Sequence, residues 1–299
     1  MLTIKNIQVK YGNQVALSIT EPISFYSGDR IAIIGSNGAG KTTLVKSILG
    51  LTNYEGRIST ELKPEDIAAH MQQNHYANTM AVKYIMETIL DTNIKKNEKL
   101  KELITFFDFD QCLNKKYSAL SGGQKQRMTI ILVMFQDKPL VFYDEVTSGL
   151  DFETRQKLME KLVEWYRDKN TTLCVVSHYY SELEQLANKI LILENGAVID
   201  FGNRDDLFHK YCGKTIVTVD NNEDNVVLTK QFTKLEAPNH LIAISCPNEE
   251  TELKLTSLLI KGNINFKRSN SDIEIMSINA KVRYNERMTG GCVNENKTA

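Results

Sequence analysis

Up to about residue 210, apolar and polar positions alternate between two periods along this chain. Residues 2–9 alternate strictly, as a half-buried strand does. Short apolar runs at 30–34, 66–71, 139–143 and 171–176 predict further strands. In 140–143 (Leu-Val-Phe-Tyr) both faces are apolar, which suits a parallel strand covered on each side. Stretches with apolar residues three and four apart separate these runs, so the chain predicts an α/β domain. Residues 83–90 and 98–107 break the alternation: two helical patterns follow each other with no strand between, which predicts a helical insertion. At 190–201 two apolar strands flank Asn195-Gly196, the signal of a tight hairpin.

From about residue 213 the pattern changes. Strands are predicted at 215–219, 226–228, 241–245 and 273–278, with a helix over 249–259, and together they read as a small α/β accessory domain. Beyond Arg287 the chain is polar and carries Gly290-Gly291, which predicts a frayed tail. The expected organisation is a domain over 1–212 containing a helical subdomain at about 74–136, an accessory domain over 213–286, and a tail over 287–299.

Composition narrows the classes. The 299 residues carry a net charge of −1, which gives no support for a nucleic-acid surface. The longest apolar runs, such as 130–135, fall far short of the ~20 residues a bilayer-spanning helix needs. The first residues alternate like a strand and lack the apolar core of a signal peptide, so the expected location is the cytosol. The cysteines at 112, 174, 212, 246 and 292 are scattered and show no C-x-x-C spacing. Reduced thiols are expected, with neither disulfides nor a zinc site.

Candidate chemistry is concentrated at three places. Gly35-Ser36-Asn37-Gly38-Ala39-Gly40-Lys41-Thr42 reads G-x-x-x-x-G-K-[ST], between a predicted strand and a predicted helix. Chance supplies such a match in only about 1% of chains of this length. Its glycines let the backbone turn successive N–H groups toward phosphate oxygens, and the helix that follows adds its positive end. Lys41 is placed to reach the outer phosphates, and the Thr42 hydroxyl to ligate Mg²⁺. Leu120-Ser121-Gly122-Gly123-Gln124 opens a second helical pattern, with Ser121 as a natural N-cap. It reads either as a further anion site or as a simply capped helix. Asp144 and Glu145 follow the apolar strand at its carboxyl end. There Asp144 could hold Mg²⁺ and Glu145 could polarise a water, although two solvated acids at a strand end would have the same sequence.

With these motifs in this order, the chain resembles the ATP-binding subunit of an ABC transporter. Gly35–Thr42 match the Walker A loop, 120–124 the LSGGQ signature, 140–145 Walker B with its catalytic glutamate, and 148–151 (Ser-Gly-Leu-Asp) the D-loop. Gln72 matches the Q-loop glutamine (Gln73 is the neighbouring alternative), His178 the switch histidine, and Tyr11 the aromatic that stacks on adenine. The resemblance covers residues 1 to about 210. It implies a P-loop NTPase fold of ABC type, with a mixed sheet core, an antiparallel β subdomain and a helical subdomain. It further implies ATP and Mg²⁺ as cofactors, the metal being held by Thr42, Asp144 and Gln72, and a contact from Thr43 to the α-phosphate. Glu145, His178 and Gln72 are the implied catalytic residues. The nucleotide would lie between residues 36–43 and Tyr11 of one subunit and Ser121, Gly122, Gly123, Gln124 and Asp151 of a second.

The same resemblance implies two partners: a second ATP-binding subunit, identical or not, and a separate transmembrane permease that holds this chain at the cytoplasmic face of the membrane. Val146 and Met71 stand where the family commonly has proline. A single ATP-binding domain with a short C-terminal extension is similar to the bacterial exporters of drugs, bacitracin-like antibiotics, lantibiotics and cytolytic peptides. A soluble ABC ATPase of iron–sulfur assembly is the alternative reading. Ribosome-acting and chain-condensing relatives fit poorly: no second ATP-binding domain is present, and no coiled coil separates the Walker A loop from the signature.

Overall fold

The computed structural model describes residues 1–71 and 76–290. These divide into two compact units: Met1–Val9, Ile19–Ile31 and Thr42–His178 in the first, Lys10–Ser18, Ala32–Lys41 and Tyr179 onward in the second.

The first unit holds two groups of strands. The strand Leu2–Tyr11 pairs antiparallel with Ile23–Phe25 and with Glu55–Thr60 through its first residues. The strand Leu140–Asp144 lies between Ile67–His70 and Thr172–Val176, parallel to both, with Tyr143 opposite His70 and Asp144 opposite Val176. Every residue of 140–144 and 172–176 is buried, as the doubly apolar pattern required. The expected helical insertion is present. Helices Val82–Ile89, Glu98–Phe106 and Gly122–Gln136 succeed one another with 3-10 turns at 94–96, 110–112 and 117–119 and no strand among the described residues between them. Helix Phe152–Tyr166 follows the central strand.

A buried hydroxyl pair joins that strand to that helix. Tyr143 and Tyr166 bring their hydroxyls to 2.9 Å, with rings edge to face at a centroid distance of 6.2 Å. Burial pushes both phenols well above their ordinary value, so both stay neutral donors. Tyr166→Phe leaves the fully buried Tyr143 hydroxyl without that partner. The expected loss is about 1–2 kcal/mol of stability, read as a fall of a few degrees in Tm by thermal melting.

The second unit contains the predicted hairpin. Strands Lys189–Glu194 and Ala197–Asn203 pair antiparallel across Asn195 and Gly196, both at positive φ (48° and 78°), the backbone a two-residue primed turn needs. The strand Gln14–Ile19 meets 197–203 in parallel. After the helix Arg204–Cys212 comes a four-stranded antiparallel sheet in the order 234–235, 241–246, 215–220, 267–269. Val217, Val219, Ile242 and Ile244 from this sheet pack with Leu255 and Leu259 of the helix Glu249–Lys261. Asn248 caps that helix by accepting from Thr251 N at 2.9 Å.

Two predicted strands are helices. Residues 226–228 lie in the helix Glu223–Leu228, whose first turn is fixed by Asn222 accepting from Asn225 N at 2.9 Å. Residues 273–278 begin the helix Ile273–Gly290, where Asp272 accepts from Ile275 N at 3.0 Å. In both places an Asn or Asp immediately upstream satisfies an amide of the first turn, and this local chemistry outweighs the β-branched composition. The second helix also runs three residues past Arg287, where fraying was expected. It packs against Arg204–Cys212 and the helix Tyr180–Leu186, so the C-terminal segment extends beyond its own sheet to earlier elements.

Candidate nucleotide site

The strand Arg30–Gly35 leads into the glycine loop, and Lys41 starts the helix Lys41–Ile48. At Gly35 (φ 155°) a Cβ would stand 2.2 Å from the Leu193 carbonyl oxygen, and at Gly40 (φ 97°) 2.9 Å from that of Ala16. Side chains at either position would force the loop open, so these two glycines are needed for close backbone approach. Asn37 and Gly38 are exposed, whereas Ala39 and Gly40 are buried. Lys41 is only 6% exposed; its Nζ donates to the carbonyls of Gly35 (2.8 Å) and Ser36 (3.0 Å) and so folds over its own loop. Thr43 lies half-buried in the first helical turn, and its carbonyl accepts from the Ser47 hydroxyl. Tyr11, at the end of the first strand, leaves 52% of its surface to solvent.

In the first unit the carboxyl ends of parallel strands collect the acidic chemistry, as open parallel sheets do. The Thr42 hydroxyl donates to Asp144 Oδ2 at 2.9 Å, and Asp144 is fully buried. A buried carboxylate beside a hydroxyl is the all-oxygen donor set that suits Mg²⁺, an ion usually held by one or two protein ligands plus substrate phosphates. Consistent with that economy, no cluster of three His, Cys, Asp or Glu able to hold a metal occurs among the described residues.

Glu145 follows with a left-handed backbone, φ 52°, rare for a glutamate. Its N–H donates to the Val176 carbonyl (2.9 Å) and its carbonyl accepts from Ser148 N (3.0 Å). Its Oε1 lies 3.1 Å from His178 Nε2. Two residues distant in sequence are thus joined because the parallel strands 140–144 and 172–176 end side by side. Gln72, expected to complete this group, lies outside the described residues, as does its alternative Gln73.

The signature forms the start of the helix Gly122–Gln136. Ser121 Oγ accepts from Gln124 N at 3.3 Å, and Gln124 Oε1 accepts from Ser121 N at 3.1 Å, a full capping box. The capped-helix reading of these residues therefore holds. Ser121 and Gly122 remain exposed. Gln126 Nε2 donates to the Ser148 carbonyl at 2.6 Å and ties this helix to the loop at 148–151. Asp151 caps the helix 152–166 by accepting from Thr154 N at 3.0 Å, and that contact holds its carboxyl below the ordinary range. Ser36 and Glu194 form a hydrogen bond that motif reading missed. The one available signal was an acid immediately before the Asn195-Gly196 turn.

Residues 22–148 match the family model described as ABC transporter. Over 260 residues the chain is 27% identical to a putative ABC transporter ATP-binding protein of Treponema denticola, covering 77% of this chain and 52% of that protein. It is 29% identical to a methionine import ATP-binding protein of Clostridioides difficile, over 70% of each chain. Similarity to a hemin import ATP-binding protein of Vibrio parahaemolyticus is 28%, over 67% of this chain and 84% of the other. Among solved structures, an ATP-binding subunit of an ABC transporter superposes with a TM-score of 0.64 at 23% identity, over 71% of this chain and 93% of that one. A dimeric ATP-binding cassette bound to ADP and Pi gives 0.60 at 23% identity, over 68% and 98%. With the glycine loop, the buried acidic strand and the capped signature helix in one chain, these likenesses give it the P-loop fold of the ATP-binding cassettes of ABC transporters, with an ABC transporter match over residues 22–148.

Proposed function

We propose that this chain is the ATP-binding and hydrolysing subunit that powers a membrane exporter through ATP-driven closure of a pair of such subunits. The observation that carries the reading is the continuous group Thr42–Asp144 and Glu145–His178 at neighbouring strand ends. In it Thr42 and Asp144 hold Mg²⁺, which when bound neutralises charge on the phosphates. Lys41 leaves the Gly35 and Ser36 carbonyls for the outer phosphates, and the loop N–H groups of 36–43 take the remaining oxygens. Glu145 accepts a proton from the attacking water, and His178, at 3.1 Å, fixes the direction of that carboxylate. Tyr11 stacks on the base. The exposed turn at Ser121 and Gly122 meets the γ-phosphate of a facing subunit, and Gln72 completes the metal site.

We assign residues 1–212 to the ATP-binding domain, with 74–136 as its helical subdomain, and 213–286 to the accessory domain. A separate transmembrane permease is the proposed partner; among the described residues no helix is long and apolar enough to cross a membrane. The helical subdomain receives it. Peptides, toxins or drugs are the proposed cargo. Import is favoured instead by a specific observation, the similarity to methionine and hemin import ATP-binding proteins.

The test is purification of the chain with its native membrane partner, followed by reconstitution into vesicles with the ATP-binding face outward. ATP-driven accumulation of peptide inside the vesicles is expected. Depletion of solute from the lumen would establish import, and recovery with a soluble scaffold alone would end the transporter reading.

A further inference from the structure

Glu194 ends the strand Lys189–Glu194, one residue before the turn, and faces the phosphate loop on one side and the C-terminal helix on the other. Its Oε1 accepts from the Ser36 hydroxyl at 2.5 Å, and its Oε2 lies 2.8 Å from Lys281 Nζ. The pair is largely covered, with 17% of the Glu194 side chain and 24% of the Lys281 side chain exposed. Burial pushes the Glu194 carboxyl up, but Lys281 and Ser36 outweigh it and hold the group below the ordinary carboxylate range. The carboxylate is therefore ionised and kept in one orientation by its two partners.

The helix bearing Lys281 is itself held firmly. Two residues earlier, Asn279 makes a reciprocal pair with the Glu236 backbone beside the accessory sheet: Glu236 N donates to its Oδ1 (3.1 Å) and its Nδ2 donates to the Glu236 carbonyl (2.9 Å). Two residues later, Arg283 Nη1 donates to the Lys210 carbonyl at 2.6 Å. On the other side, the Ser36 carbonyl accepts from Lys41 Nζ at 3.0 Å. A connected set of polar contacts thus runs from the accessory sheet to the lysine of the glycine loop.

We propose that Lys281 is a positioning residue for ATP binding: through Glu194 it holds Ser36, and so the C-terminal helix preorganises the phosphate loop. The proposal rests on reading residues 35–42 as that loop. A preorganised loop lowers the cost of ordering around the triphosphate and acts on affinity, since Lys281 and Glu194 act through the loop and not on the nucleotide.

The test uses the full chain, a fluorescent ATP analogue for Kd, and steady-state ATPase kinetics. Lys281→Met keeps the packed stem and removes the charge. It is expected to raise Kd and KM by about fivefold to tenfold, with kcat within about twofold of the parent. Lys281→Arg restores most of the affinity. Ser36→Ala also weakens binding, and adding Lys281→Met to it brings no further loss, because both changes break one relay. Unchanged Kd in Lys281→Met, or full additivity in the double variant, overturns the proposal. Lys41→Ala is the control: if it too binds like the parent, the reading of the loop fails instead.

Discussion

Glu145→Gln is expected to lower kcat about 100- to 10,000-fold, the usual weight of a positioned general base, while leaving ATP affinity within a fewfold of the parent. The amide keeps the shape of the side chain and can still meet His178 Nε2, now 3.1 Å from Glu145 Oε1. It cannot take a proton from water. ATP then stays intact, and if closure of two subunits precedes hydrolysis, the variant accumulates dimers that the parent forms only transiently. Size-exclusion chromatography with ATP and Mg²⁺ reports this directly. A variant that turns over at the parental rate would remove Glu145 from its assigned role, and a variant that never dimerises would remove closure from the cycle.

Lys41→Ala has the second large expected effect, on binding itself. Lys41 is almost fully enclosed, and its Nζ donates to two loop carbonyls at the place where the phosphates would enter. Loss of a buried ammonium that meets phosphate costs about 2–4 kcal/mol, or roughly 30- to 1,000-fold in Kd. Calorimetric titration with ATP measures it. The same substitution removes one donor each from the Gly35 and Ser36 carbonyls, the latter keeping the Ala39 N–H, so some loss of stability in the free protein accompanies the loss of affinity. Unchanged affinity contradicts the phosphate-loop assignment.

Much of this was legible in the sequence, for reasons visible in the structure. The parallel strands were readable because 140–144 and 172–176 are buried on both faces, which demands unbroken apolar runs. The hairpin was readable because Asn195 and Gly196 must take positive φ. The glycine loop was readable because Gly35 and Gly40 touch backbone that no side chain could approach. The strands Gln14–Ile19 and Glu55–Thr60 escaped prediction for a related reason. Glu55–Thr60 is largely exposed and has Ile58 as its one large apolar residue, whereas in Gln14–Ile19 the alternation of Val15, Leu17 and Ile19 spans only three large apolar positions. The helices at 223–228 and 273–290 escaped because their caps, Asn222 and Asp272, looked like loop residues before apolar strands. Among site residues, spacing revealed what acts through a motif. It could not reveal Glu194 or Lys281, which act by tertiary placement alone.

The left-handed backbone at Glu145 has a consequence for how this protein can evolve. A glutamate there carries conformational strain of order 1 kcal/mol that asparagine or glycine would relieve. Drift toward greater robustness therefore points directly away from turnover at this one position. Only selection for work done by the enzyme keeps the less comfortable residue in place.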